Sequence, residues 1–210
     1  MNDTIKQPIK LTLYDTCGTM GAKPNGPNST PATIVPNDIN LLPGVIEELR
    51  EERAQTNGMR QYPEVNFVKW KIYGDSKDFS EADMAEMAVS IKKDLKENGT
   101  RKFLIVHGTD DMAKNAQLLK QYLQGSGVVV AFTGAMLPLS YDPTEGKKNV
   151  SDAIRFLEQT PSTLENSSGG PKVKIIWDSK VWEPAYTKKD IPNKCFVSSI
   201  PPRDLAHYIA

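Results

Sequence analysis

The sequence predicts an α/β fold, a doubly wound and mostly parallel sheet with helices on both faces. Three observations predict it. Five runs rich in β-branched and aromatic residues recur along the chain; three of them, "FLIV", "VVVAF" and "VKIIW", are continuously apolar, as in strands covered on both faces; and helical patterns stand between them.

Taken in order, the first strand is expected over residues 9–14, ending in "DTCGTMG". The stretch 21–42, "GAKPNGPNSTPATIVPNDINLL", is rich in Pro, Gly and Asn and long for a connection, so it is read as a flexible lid loop. After Pro43 a helix would place Val45, Ile46 and Leu49 on one side. The second strand is expected over 65–73, followed by a helix that opens with a capping box, Ser80 to Asp83, and stops at Gly99. A third strand over 103–106 leads into the helical "DDMAKNAQLLKQYLQ", and a fourth over 128–132 precedes the helical "GKKNVSDAIRFLEQ". A polar loop over 160–171 then reaches the last expected strand, 173–177. No element is assigned beyond Trp177, and residues 1–210 are expected to form a single domain.

Lys and Arg total 26 and Asp and Glu 26, so no global field favours nucleic acid or an anionic membrane, and a small, nearly neutral ligand is the easier fit. The opening "MNDTIKQPIK" lacks the apolar core of a signal peptide, and no run approaches the roughly 20 apolar residues needed to cross a bilayer. A soluble, cytoplasmic protein is expected. Cys17, Cys195, His107 and His207 are too few for a disulfide framework or a metal-type pairing, so no metal and no cofactor are expected. Walker, GxGxxG and GxSxG motifs are missing, which argues against a nucleotide ligand and a serine triad.

In open parallel sheets the ligand crevice lies beyond the carboxyl ends of the strands. Here "DTCGTMG", "GDSKDFSEADM", "HGTDDM" and "TGAMLP" follow four successive strands and deliver Thr16, Thr19, Asp75, Ser76, Thr109, Asp110, Gly134 and Ala135 to one edge. Each piece also has a plainer reading. "TCGT" can end a strand, "DSKDFSEAD" can be a turn plus a cap, and "GTDD" can cap a helix. His107, between a buried strand and a glycine, reads as a packed, hydrogen-bonded residue rather than a base.

"DTCGTMG", "IVHGTDDMAKNAQLL" and "VVVAFTGAMLPLSYDPTEGKKNVSDAI" together resemble the bacterial-type L-asparaginase/glutaminase family, which carries TGGTI, HGTDT and TGAM in this order and strand context. The resemblance covers the family's N-terminal domain and does not extend to its smaller C-terminal domain, so a short single-domain form is expected. It implies an amidohydrolase that converts asparagine, or a related amide, to aspartate and ammonia. Thr19 would be the nucleophile, Thr109 the second catalytic threonine and Asp110 the acid that orients it and helps hold the substrate amino group. Gly18, Asp75, Ser76, Lys77, Gly108 and Ala135 would bind substrate, Asp75 and Ser76 at its α-amino and α-carboxylate ends and Ala135 through its carbonyl. The family oligomerises, which implies a homodimer or higher homo-oligomer.

The sequence departs from that pattern at several points. The family's proton acceptor is a lysine near the end of the helix after TGAM, where this chain reads Gln159, Thr160 and Pro161, leaving Lys172 or Lys174 as substitutes. No tyrosine stands between Tyr14 and Tyr62 to match the one in the family's lid, and Lys77 replaces a glutamine. Two functions therefore remain open: a threonine amidohydrolase, or a catalytically weak or inactive protein of the same fold that binds a small amino acid or a partner.

Overall fold

The computed structural model describes residues 8–25, 34–37, 39–57, 61–162, 170–190 and 192–209. Strand β1 (Lys10–Cys17) is followed by a ribbon of β2 (Ala22–Pro24) and β3 (Ile34–Pro36), helix α1 (Leu42–Asn57), β4 (Glu64–Gly74) and α2 (Glu81–Asn98). Then come β5 (Lys102–Val106), α3 (Met112–Tyr122), β6 (Val129–Thr133), α4 (Gly146–Gln159) and β7 (Lys172–Trp177). The chain continues through β8 (Lys180–Trp182), β9 (Thr187–Asp190), β10 (Cys195–Ser198), β11 (Arg203–Asp204) and α5 (Ala206–Ile209).

The main sheet has the order β11-β8-β7-β6-β5-β1-β4. Strands β4, β1, β5, β6 and β7 run parallel, and β8 and β11 extend that edge antiparallel. The fold expected from the sequence is therefore present. Alternation explains why the central strands read as continuously apolar: Phe103 and Ile105 of β5 join one core layer, while Leu104 and Val106 join the other. The same split places Val130 and Phe132 of β6 opposite Val129 and Ala131. Each of the larger side chains buried this way contributes about 1.5–3 kcal/mol.

Helices cover both layers with stripes at i, i+3, i+4 and i+7. Leu42, Val45, Ile46 and Leu49 of α1 face one, and Met84, Met87, Ala88 and Ile91 of α2 the other. The capping box at Ser80 is formed, and Gly99 ends α2 in the left-handed conformation. No helix among the described residues is long and apolar enough to cross a membrane.

Three expectations need correction. Strand β1 runs to Cys17, three residues further than expected, because Asp15 still pairs with both neighbouring strands and Cys17 pairs with Gly74 across an irregularity at Thr16. The described part of the 21–42 stretch is the antiparallel β2–β3 ribbon, with Lys23 opposite Val35, and α1 already begins at Leu42; residues 26–33 and 38 lie outside the described residues. Beyond Trp177 the chain is structured. A tight turn at Asp178 and Ser179, both with positive φ, folds β8 back on β7, and β9 and β10 pair into a ribbon. The loop over 160–171 is described only at its two ends.

Candidate functional site

Numbered along the chain, the five parallel strands lie in the order 2-1-3-4-5, so adjacent connections diverge to opposite faces between β1 and β5. A pocket of about 140 Å³ opens there, lined by Gly18 and Thr19 after β1, Gly74 and Asp75 at the end of β4, and Gly108, Thr109 and Asp110 after β5, with Ile34, Val35 and Pro36 of the ribbon as a wall.

Glycines let these strand ends touch. A Cβ on Gly18, whose φ is +54°, would stand 2.4 Å from the Gly108 nitrogen, and one on Gly108 would stand 2.7 Å from the Ser76 nitrogen. Both contacts are closer than carbon and nitrogen tolerate, so the backbone can approach only without side chains. Cys17, by contrast, holds a φ of +69° as a non-glycine residue, its amide donating to Asp15 Oδ1 at 2.9 Å. Burial, followed by the Asp15 charge, pushes its thiol up to about 12. Thr16 is fully buried and its hydroxyl donates to the Val106 carbonyl at 2.8 Å, a structural role.

Thr109 and Asp110 do not cap α3; Asp111 is the cap residue, and its side chain makes no capping bond. They meet Lys189 instead. Its Nζ donates to Thr109 Oγ1 at 2.8 Å and forms an ion pair with Asp110 Oδ1. Thr109 Oγ1 also donates to Met136 Sδ at 3.6 Å. The other Asp110 oxygen pairs with Lys77 Nζ at 2.5 Å. Burial pushes the Asp110 carboxyl up, but hydrogen bonds and charge from Lys189 and Lys77 outweigh it and hold it below the usual carboxylate range.

Asp75 plays the plainer part foreseen for it: its Oδ1 accepts from the Lys77 amide at 3.1 Å and caps the turn Ser76–Asp78, while its own carboxylate still lines the pocket. Ser76 is fully buried behind Gly108, and its Oγ accepts from the Asp111 amide at 3.1 Å. Ala135 does not line the pocket. It packs in the layer under α1 and α4, and Met136 is the residue of that loop that reaches Thr109. His107 is wholly buried between Phe79 and Phe132, and its Nε2 accepts from Asn115 Nδ2 at 3.1 Å. Burial drives it down to about 3, so it is neutral and packed, as the sequence indicates.

Lys189 is the residue that sequence reasoning missed. Neither substitute reaches the site: Lys172 donates to the Pro161 carbonyl at 2.9 Å and Lys174 pairs with Glu183. A faint signal exists in "TKKD", where alternation puts buried Thr187 and half-buried Lys189 on one face and exposed Lys188 on the other. Opposite Lys189 on β10 stands Phe196, buried against Trp177 at 5.3 Å and Trp182 at 6.2 Å between ring centres. That aromatic cluster fastens the ribbon to the sheet and so carries the ammonium to Asp110. Among the described residues no group of three or more His, Cys, Asp or Glu could hold a metal ion.

Fold and pocket together define an open α/β domain whose polar site sits at the switch point of its sheet. Residues 10–195 match the family described as Asparaginase, N-terminal, and the chain belongs to that family. L-asparaginase 1 of Escherichia coli (strain K12) is 30% identical over 101 residues, 48% of this chain and 29% of that protein. L-asparaginase I of Vibrio cholerae superposes with a TM-score of 0.70 at 20% identity, covering 93% of this chain and 53% of the other. For the thermostable L-asparaginase of Thermococcus kodakarensis the values are 0.63 and 18%, over 92% and 52%. The chain thus spans about half the length of these solved structures, which at such identities speak for the fold.

Proposed function

We propose that this chain is an asparaginase-type amidohydrolase domain that hydrolyses the side-chain amide of L-asparagine, or of a related amide, through Thr19. The observation that carries the reading is the triad Thr109, Asp110 and Lys189 at the edge of the pocket that Thr19 also lines. A threonine hydroxyl is a weak nucleophile until a base takes its proton. Lys189, ion-paired with Asp110 at rest, serves as the acceptor through the Thr109 hydroxyl after ceding one of its own protons to solvent, and Asp110 orients it. The Thr19 oxygen bonds to the amide carbon, its proton passes to the Thr109–Lys189 pair, and the leaving nitrogen takes that proton and departs as ammonia. Water then cleaves the Thr19 ester, the pair again moving the proton, to release the carboxylate and the free hydroxyl. In this reading, backbone amides near Thr19 and Thr109 would receive the developing oxyanion.

The test is ammonia release from millimolar L-asparagine beside Thr19→Ala. The proposal expects release that drops on the order of 10³-fold or more in the variant. Release that persists in Thr19→Ala refutes the nucleophile; tight aspartate binding with no release from any amide would favour the reading of a binding protein.

A further inference from the structure

The pocket lining carries two carboxylates, Asp75 and Asp110, and these are the groups that an incoming ammonium would have to find there. Asp110 has neither oxygen free: Lys189 holds Oδ1 and Lys77 holds Oδ2. Asp75 gives Oδ1 to its cap, accepting from the Lys77 amide and, at 3.3 Å, from Ser76 Oγ. Both lysines sit on Asp110, so that carboxylate has no oxygen left for a third cation.

Lys77 is built to stay there. Its backbone is pinned one residue beyond fully buried Ser76 by the Asp75 capping box, while its side chain, 61% exposed, leaves the turn and crosses to Asp110. The hydrogen bond and charge of Asp110, with the Asp75 charge behind them, hold its ammonium above the usual lysine range, so it remains a cation at any physiological pH.

We infer that Lys77 occupies on Asp110 the place an α-ammonium group would take, so that the site accepts side-chain amides whose α-nitrogen is acylated, as in a peptidyl or N-acyl asparagine, in preference to the free amino acid. A free amino acid must break the Lys77–Asp110 pair and set its ammonium beside a like charge. An N-acylated substrate brings no cation, leaves the pair intact and presents its carboxylate to a surface that already carries an ammonium.

This inference rests on the pocket reading above, but its test does not need turnover. Calorimetry gives the Kd ratio of L-aspartate to N-acetyl-L-aspartate for the wild-type chain, Lys77→Gln and Lys77→Arg. The wild type is expected to bind the acetylated ligand more tightly, Lys77→Gln to move the ratio toward the free amino acid by about threefold to tenfold, and Lys77→Arg, which keeps the cation, to hold it. A ratio unchanged in Lys77→Gln overturns the inference, because Lys77 then swings clear at no cost. Failure of both ligands to bind overturns it as well. Ammonia release from L-asparagine and N-acetyl-L-asparagine, measured alongside, reports on the amidohydrolase reading separately: a shifted binding ratio without release refutes that reading and supports this one.

Discussion

Acid should destabilise this domain through His107. The ring is wholly buried, and burial lowers it from the ordinary 6.5 to about 3. Below pH 6.5 the unfolded chain therefore binds a proton that the native state refuses, so stability falls as the pH drops from 6.5 toward 3. At pH 5 the deficit is about 2 kcal/mol and at pH 4 about 3 kcal/mol, against nearly none at pH 7. Burial also pushes the Asp15 carboxyl up, so the histidine contribution is read as the difference between the wild type and a His107 variant; the chain's other histidine, His207, is exposed. Urea unfolding at pH 7, 6 and 5 measures the slope, and His107→Gln, whose amide oxygen can still accept from Asn115, should flatten it. The chain segment concerned leads directly into Gly108 and Thr109, and the His107 amide donates to the Thr133 carbonyl at 2.8 Å, so loss of site function should track the same curve. An equal slope in wild type and variant, or a His107 ring resonance that titrates near pH 6.5 in the folded protein, would refute the reasoning.

Lys189→Met removes both the donor to Thr109 and a cation from Asp110, and amide hydrolysis should fall about 10²- to 10⁴-fold. Lys189→Arg keeps the ion pair but takes no proton, so it should lose activity while retaining its melting temperature; activity in the arginine variant would count against a lysine base. Gly108→Ala drives a methyl group to 2.7 Å from the Ser76 nitrogen and should cost about 1–3 kcal/mol, seen as a melting point several degrees lower. At Cys17, glycine relieves a φ of +69° worth about 1 kcal/mol but loses a small buried side chain and gains chain entropy, so Cys17→Gly should lie within about 1 kcal/mol of wild type. Cys17→Val, β-branched at positive φ, should destabilise by about 2 kcal/mol or more in the same urea titration.

Much of the scaffold was legible along the chain. Runs such as "FLIV" report their own burial on two faces, and stripes such as Met84, Met87, Ala88 and Ile91 report one covered helix side, because periodicity is a property of neighbours in sequence. The hydroxyl and glycine residues after β1, β4 and β5 were legible too, since turn chemistry is local and parallel strands end on a shared edge. What only the tertiary structure decided is which charge faces which. Asp110 lies 79 residues from Lys189, and nothing in "TKKD" names its partner; the Trp177, Trp182 and Phe196 cluster does so by docking the ribbon. Lys77 was visible as a departure from a pattern, but its role follows from the reach of its side chain across to Asp110. The same holds for Ala135, which packs under α1 and α4 while Met136 turns to Thr109. A side chain's own sequence sets its period and its local turn, whereas the worth of a charge depends on the distance and burial of its partner, and that is a property of the folded chain.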